Sequence, residues 1–303
     1  MGMVSSAPIA ATPMAFVQAI VAAYVRAGRD PSAALAQAQI APAQLQQADA
    51  RITAWQMERI SELAMRELDD EALGWFRRRL PWGSYGMLAR ASLSAPTLAL
   101  AIKRWCRHHG LIAEDITLTL QTSGSTASIG IAEHRDLGAL REFCLVSVLR
   151  NILGLACWLV DSRIPLLQAQ FPFDAPPHAE AYSVLFSGPT RFGQAQAAIN
   201  FDAQYLQLPL RRDEKAMQQM LQHALPLTVL QYRRDRLLVQ RVRQLLSAQP
   251  QDTHGAEALA ALLHLSPRTL HRQLKEEGAT LQALKDEVRQ SRATELLLSL
   301  IHI

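Results

Sequence analysis

Apolar residues recur every three or four positions through most of the first hundred residues, the period of amphipathic helices. "PMAFVQAIVAAYVRAG" opens at Pro13 and closes at Gly28, with Pro near a helix start and Gly past its end. Two short helical pieces are expected around 31–38 and 42–47. In "TAWQMERISELAMREL" (53–68), Trp55, Ile60, Leu63 and Leu68 mark one apolar face. The run from Pro81 reads as a loop, a short helix, a turn at 94–96 and a helix ending near Gly110. The period then drops to two. Ile116, Leu118 and Leu120 alternate with Thr117, Thr119 and Gln121, "TSGS" turns, and Ile129 and Ile131 alternate again. That is a β-hairpin pattern. A helix across 137–160 follows. Further strands are expected at 164–173 and 195–201, with a loop and a short helix between them.

From Arg233 onward the pattern is helical only. Leu237, Leu238, Val242, Leu245 and Leu246 fall on one face, and "PQDTHG" (250–255) breaks the helix. "AEALAALLHL" is a second helix. Ser266 suits an N-cap and Pro267 a first helical position. Gly278 ends that third helix, and Thr280 caps a longer one. The predicted fold class is α+β. A helix-rich N-terminal domain with a small β-sheet (1–228) precedes an all-helical domain (229–303).

Composition narrows the class. The chain has 303 residues, 49% hydrophobic and 19% charged, which is ordinary for a globular protein of about two domains. The net charge of +4 permits a nucleic-acid partner without requiring one, because basic charge must be local to count. Cys106, Cys144 and Cys157 are odd in number, far apart and outside any CxxC pair, so they read as small buried hydrophobes. The start has no basic region before its apolar run and is a poor signal peptide. Gly2 and Ser6 match a myristoylation pattern short enough to arise by chance. "LVSVLRNILGLACWLV" (145–160) is shorter than the ~20 residues a membrane span needs, and Arg150 and Asn151 interrupt it. It reads as a core helix. The expectation is a cytoplasmic protein with no membrane partner.

The stretch "HLSPRTLHRQLKEEG" from His264 is locally basic. Its first half carries Arg268, His271, Arg272 and Lys275 and no acid, while Leu270 and Leu274 sit four apart. Leu259, Leu262, Leu263 and Leu265 can pack against those two leucines. The result is a pair of short helices meeting at "HLS", a helix-turn-helix whose second helix enters the major groove in DNA-binding examples. His264 falls where such turns often have Gly, and His tolerates a left-handed backbone better than most side chains. Glu276 and Glu277 come late, away from the positions that would approach DNA. The bland reading is a helical hairpin with a solvated basic face.

"LSPRTLHRQLKEEG" resembles the first helix-turn-helix of the AraC/XylS family of bacterial transcription regulators. The segment from Ala50 to Trp105, with Gly83, Gly86 and Leu88 and then "SAPTL" from Ser94, resembles the N-terminal domain of an AraC subgroup. That subgroup comprises regulators like those of ornithine and arginine utilisation, with an arabinose-binding-type domain. "RFGQAQAAINFDAQYLQLPL" resembles a late segment of the same domain. The resemblance implies an N-terminal domain that binds a small-molecule effector, dimerises or does both. It also implies a C-terminal domain with two helix-turn-helix units on a bridging helix. By resemblance, the exposed recognition positions are Arg268, His271 and Arg272, with Arg268 and Arg272 suited to bidentate contacts with guanine and His271 to a base or a nearby phosphate. Thr269 and Lys275 are assigned to the phosphate backbone, and Ser266 to capping combined with a phosphate contact. The sequence departs from the family pattern at its end. Only the first helix-turn-helix and the bridging helix, from Thr280, precede Ile303. The expectation is therefore an incomplete DNA-binding domain whose partners are double-stranded DNA, an effector and a second copy in a homodimer. The alternative is a truncated ligand-binding or dimerisation protein without autonomous DNA binding.

No catalytic constellation stands out. GxSxG, P-loop, GxGxxG and HExxH motifs are missing from the sequence, so neither an enzyme nor a metal site nor a cofactor is expected. His108 and His109 are adjacent and point apart on a helix. "EHRD" (133–136) reads as a solvated turn, and His178 has no visible partner. Trp82, Tyr85, Trp105 and Trp158 are candidates for lining an effector pocket, though aromatics at helical spacing more often build core. The arginines at 77–79 could attract an anion, but before "LPWG" they read better as a helix C-terminus favouring positive charge.

Overall fold

A computed structural model of the chain describes residues 10–47, 49–222, 237–248 and 255–301. The chain divides into two compact units, Met1–Tyr232 and Arg233–Ile303. Gly2, Ser6, the start expected for the helix at 233 and most of the break at 250–255 lie outside the described residues.

The first unit is mixed α+β. Its helices are α1 (Met14–Arg26), α2 (Ser32–Gln37), α3 (Ala54–Leu68), α4 (Ser84–Leu93), α5 (Leu98–Ile112), α6 (Arg141–Val160), α7 (Tyr182–Leu185) and α8 (Glu214–Leu221). Its strands are β1 (Ala10–Pro13), β2 (Arg51–Thr53), β3 (Ile116–Ser123), β4 (Thr126–Glu133), β5 (Leu166–Gln170), β6 (Thr190–Arg191) and β7 (Ala197–Asp202). β1 and β2 pair antiparallel and bring α1 beside α3. The other strands form one sheet in the order β3–β4–β7–β5–β6, antiparallel except for β5 with β6.

The alternation at 116–131 builds what it predicts. β3 and β4 form the hairpin, Leu118 faces Ile131, and Ile129 faces both Leu120 and Ile199 of β7. Ile116, Leu118, Ile129 and Ile131 are buried. α5 packs against β3, and α6 against α5 and β7. At 20 residues α6 is longer than its apolar stretch suggested, and by length and composition it could cross a bilayer. Its packing decides the matter. From Phe143 to Val160 every side chain except Ser147 and Asn151 is buried inside the unit. Among them is Arg150, whose guanidinium carbon lies 5.8 Å from the Phe186 ring centroid. Burial pulls its pKa down to about 10, which leaves it charged at neutral pH.

Local chemistry explains the helix ends. The Thr53 hydroxyl accepts from the Gln56 N–H and the Gln56 side chain accepts from the Thr53 N–H, a reciprocal cap that starts α3. Gly28, with φ of 66°, ends α1; its N–H donates to Val25 and that of Arg29 to Tyr24. The arginines at 77–79 do not end a helix. The chain between Glu71 and Arg78 makes turns and bends, and Arg77 binds the buried Asp115 through both its backbone N–H and its guanidinium.

The second unit holds α9 (Leu237–Ala248), α10 (Ala256–Leu262), α11 (Pro267–Glu276) and α12 (Leu281–Ile301). Its core is Val239, Val242 and Leu246 of α9, Leu259 and Ala260 of α10, Leu270 and Leu274 of α11, and Leu281 and Leu284 of α12. Leu263 and Leu265 pack against this core partly buried. Leu262 does not join them. It is 49% exposed, because it follows Leu259 by three positions on a short helix whose buried stripe is narrow.

The tightest backbone approach in the first unit is at Gly188. A Cβ there would stand 2.3 Å from the Leu166 carbonyl oxygen. Gly188→Ala must therefore displace β5 or the loop that precedes β6. The expected loss of stability is about 1–3 kcal/mol or more, read from urea unfolding followed by tryptophan fluorescence.

Candidate functional site

Two places concentrate polar groups. The first is the outer face of α11. Ser266 caps the helix, its hydroxyl accepting the Thr269 N–H at 3.1 Å, and Pro267 occupies the first helical position. α10 ends in a Schellman arrangement. His264 takes the left-handed conformation at φ of 55°, its N–H donates to Ala261, and the Leu265 N–H donates to Ala260. His264 thus stands where the sequence placed it. This turn fixes α11 against α10 so that Leu270 and Leu274 point inward and are fully buried.

Arg268, His271, Arg272 and Lys275 follow at helical spacing on the opposite side, and all four are exposed. Thr269 is half-buried and its hydroxyl shares a 2.8 Å hydrogen bond with that of Ser266. One hydroxyl hydrogen of that pair stays available to an outside acceptor. One nearby acid is turned away from this face. Glu277 is buried, and its Oε2 accepts the Val239 N–H of α9 at 2.8 Å. In the sequence Glu277 is distinguished only by its late position in the helix. In the structure it joins the end of α11 to the first turn of α9, where helix N–H groups need acceptors.

The second place is a cavity of about 280 Å³ in the first unit. α3 contributes Met65, α4 contributes Tyr85, Gly86, Leu88 and Arg90, and α5 contributes Trp105 and His109, four apart on one face. Val148 and Asn151 come from α6 and Leu221 from the end of α8. The remaining wall is the irregular segment between α3 and α4, with Glu71, Trp75, Phe76, Leu80 and Trp82. Tyr85 meets Trp105 edge-on at 5.3 Å between centroids. At Gly86 an added Cβ would come within 3.3 Å of the Leu221 side chain, so a bare backbone lets α8 close this side.

The irregular segment is held by carboxylates. Asp69 accepts the Trp82 N–H, and Asp70 accepts the N–H groups of Ala72, Gly74 and Leu80. Glu71 accepts those of Gly83 at 2.7 Å and Tyr85 at 2.6 Å. Burial raises the Glu71 pKa, and those two backbone hydrogen bonds only partly oppose the rise. Three buried polar atoms on lining residues have no partner among the described residues: Trp75 Nε1, Tyr85 Oη and His109 Nδ1. Burial also raises the Tyr85 pKa.

Of the aromatic candidates, Trp82, Tyr85 and Trp105 line this cavity. Trp158 does not. It is buried elsewhere, with the Arg212 guanidinium carbon 5.3 Å from its ring centroid. Sequence reasoning missed Glu71, Trp75 and His109, which only the folded chain brings to one wall. His178 is not without a partner: its Nε2 lies 2.6 Å from Glu142 Oε1, which also accepts from the Tyr182 hydroxyl. "EHRD" is an ion-paired corner rather than a free turn, with Glu133 on Arg141 and Arg135 on Asp115. All three cysteines are buried and free, and burial pushes each thiol pKa up, away from reactivity. Among the described residues no group of His, Cys, Asp and Glu could hold a metal.

Comparison with known proteins places this geometry. Residues 28–210 match the model of the arabinose-binding domain of AraC transcription regulators, N-terminal. That segment is more than half of the chain and includes every cavity residue except Leu221. The chain belongs to the AraC family of transcription regulators. It is a member of a regulator family and not an enzyme. This AraC-type chain is 26% identical over 286 residues to the ornithine utilization regulator of Pseudomonas aeruginosa, covering 94% of this chain and 84% of that protein. The crystal structure of the transcriptional regulator CdpR from Pseudomonas aeruginosa is 21% identical, covers 88% of this chain and 84% of that one, and superposes with a TM-score of 0.37.

Two predictions arise from these sites. Burial holds the His109 pKa down to about 4, against an ordinary value of about 6.5. Between those values the unfolded chain binds a proton that the folded chain refuses. Stability is therefore full above about pH 6.5 and falls as the pH drops toward about 4. The contribution is at most about 3 kcal/mol. Urea unfolding across this range should show a flatter pH profile for His109→Leu than for the wild type. In the second unit, Glu277→Ala removes the acceptor of the buried Val239 N–H, with an expected cost of about 1–3 kcal/mol. Faster amide exchange in α9, read by mass spectrometry, would report it.

Proposed function

We propose that this AraC-type regulator binds DNA in a sequence-specific way through α11 and senses a small molecule in the cavity of its N-terminal unit. In this reading residues 1–228 form the effector-binding and dimerisation domain of a cytoplasmic bacterial protein. Residues 229–303 form the DNA-binding part, with one helix-turn-helix and its bridging helix α12. The observation that carries the reading is the exposed stripe Arg268, His271, Arg272 and Lys275 at helical spacing on α11, with Glu277 turned into the core.

A major groove admits one helix, and the side that enters must bring donors without carboxylates. Arg268 and Arg272 lie one turn apart and reach guanine edges. Each bidentate contact contributes about 1–3 kcal/mol of discrimination. His271 lies between them and reads a base. Lys275, Thr269 and the Ser266 cap meet phosphates and set the register. A homodimer formed through the N-terminal unit presents two such helices, so the second binds at high effective concentration. The cavity supports sensing through its form, an apolar enclosure with a few unpartnered polar atoms, which is how small-molecule sites are built.

Fluorescence anisotropy of the full chain on duplex DNA at low and moderate salt tests the reading. The wild type should bind in a salt-sensitive way. Arg268→Ala/Arg272→Ala should weaken binding by at least about tenfold, and Lys275→Ala should lower the salt slope by about one phosphate contact. A folded wild-type chain that fails to bind at low salt would favour the alternative, a ligand-binding or dimerisation protein without autonomous DNA binding.

A further inference from the structure

We propose that the N-terminal cavity takes a compact organic cation: an ammonium group seated against Glu71, on an apolar body lying among Trp75, Trp82, Tyr85 and Trp105. The inference rests on the reading of this cavity as the effector site, and it names the ligand's chemical class.

Charge balance is the first support. Asp69, Asp70 and Glu71 are consecutive carboxylates whose hydrogen bonds come from backbone N–H groups. Among the described residues none of the three is ion-paired with an Arg, Lys or His side chain. Glu71 lines the cavity and each of its oxygens takes one N–H, which leaves acceptor capacity on both. Removing a carboxylate from water without a counter-charge is costly, and a cation brought to it relieves that cost. The other formal charge in the lining belongs to Arg90. Its guanidinium is already held by Glu214 at 3.1 Å, and its side chain is 48% exposed. An anionic ligand would meet a spoken-for arginine at the rim and an uncompensated carboxylate inside.

The walls give the second support. Trp and Tyr faces attract cations through their ring quadrupoles, and four such rings line one small space, although Trp82 already carries the Arg66 guanidinium 4.7 Å from its centroid. The unpartnered polar atoms refine the ligand. Trp75 is 4% exposed and its Nε1–H can only donate, so an acceptor oxygen on the ligand would satisfy it. His109 is 6% exposed with Nδ1 unpartnered, and the Tyr85 hydroxyl is unpartnered as well. Both can accept from an ammonium or donate to that oxygen. At about 280 Å³ the cavity falls just below the ~300–1,000 Å³ of pockets for drug-sized ligands, so the ligand is compact.

The test is titration of the full chain, by calorimetry and by quenching of tryptophan fluorescence. The probes are primary amines from butylamine to phenethylamine, each beside its isosteric alcohol and carboxylate. The expected result is that an amine binds at least about tenfold more tightly than its alcohol, with the carboxylate weakest. Glu71→Gln, checked by circular dichroism, should erase that preference, the amine-to-alcohol affinity ratio falling to about one. Trp75→Phe should weaken ligands that carry an acceptor oxygen more than those that lack one. If Glu71→Gln fails to fold, the amine–alcohol comparison on the wild type and the Trp75→Phe contrast still decide. Alcohols or carboxylates that bind as well as amines would overturn the cationic class while leaving an effector cavity in place. No binding from any probe would overturn the class and the effector reading together.

Discussion

Backbone N–H groups buried outside helix and sheet must find acceptors, and between Leu68 and Ser84 the chain has no regular structure to supply them. Asp69, Asp70 and Glu71 meet that demand. They reach forward to Ala72, Gly74, Leu80, Trp82, Gly83 and Tyr85. The constraint shapes what stands around it. The segment becomes a wall rather than a loose loop, the start of α4 is anchored, and Trp75 and Trp82 are set against the helices that complete the cavity. The same three residues that solve a folding problem leave negative charge beside an apolar space.

The second unit solves a similar problem with one residue. Glu277 satisfies an N–H of α9 from the end of α11, so the orientation of α11 is tied to α9 as well as to α10. Schellman turns at His264 and Gly278 close α10 and α11 with the same pair of backbone bonds. A short helix gains little from propensity alone. Here caps at both ends and two buried leucines define it.

What could be read in the sequence was whatever depends on neighbours along the chain. The alternation of Ile116, Leu118 and Leu120 gave the hairpin, Ser266–Pro267 gave the start of α11, and His264 gave the left-handed turn. These are local patterns with local causes. The β1–β2 pairing was illegible, because strands of three or four residues carry no periodicity and meet across a long separation. The two-residue β6 was lost for the same reason. The cavity was half legible. Trp82, Tyr85 and Trp105 stood out as aromatics, but Trp158 stood out equally and packs elsewhere. Glu71 and His109 gave no signal, since their roles come from burial, and burial is a property of the assembled unit. His178 looked solitary because Glu142 lies 36 residues away.

α11 divides its labour by face. Leu270 and Leu274 carry the packing, and Arg268, His271, Arg272 and Lys275 take no part in the core. Substitutions on the outer stripe change the surface that α11 presents at almost no cost to folding. That surface can therefore drift between duplicated copies of such a gene while the scaffold stays the same. A lineage can alter it without passing through an unfolded intermediate.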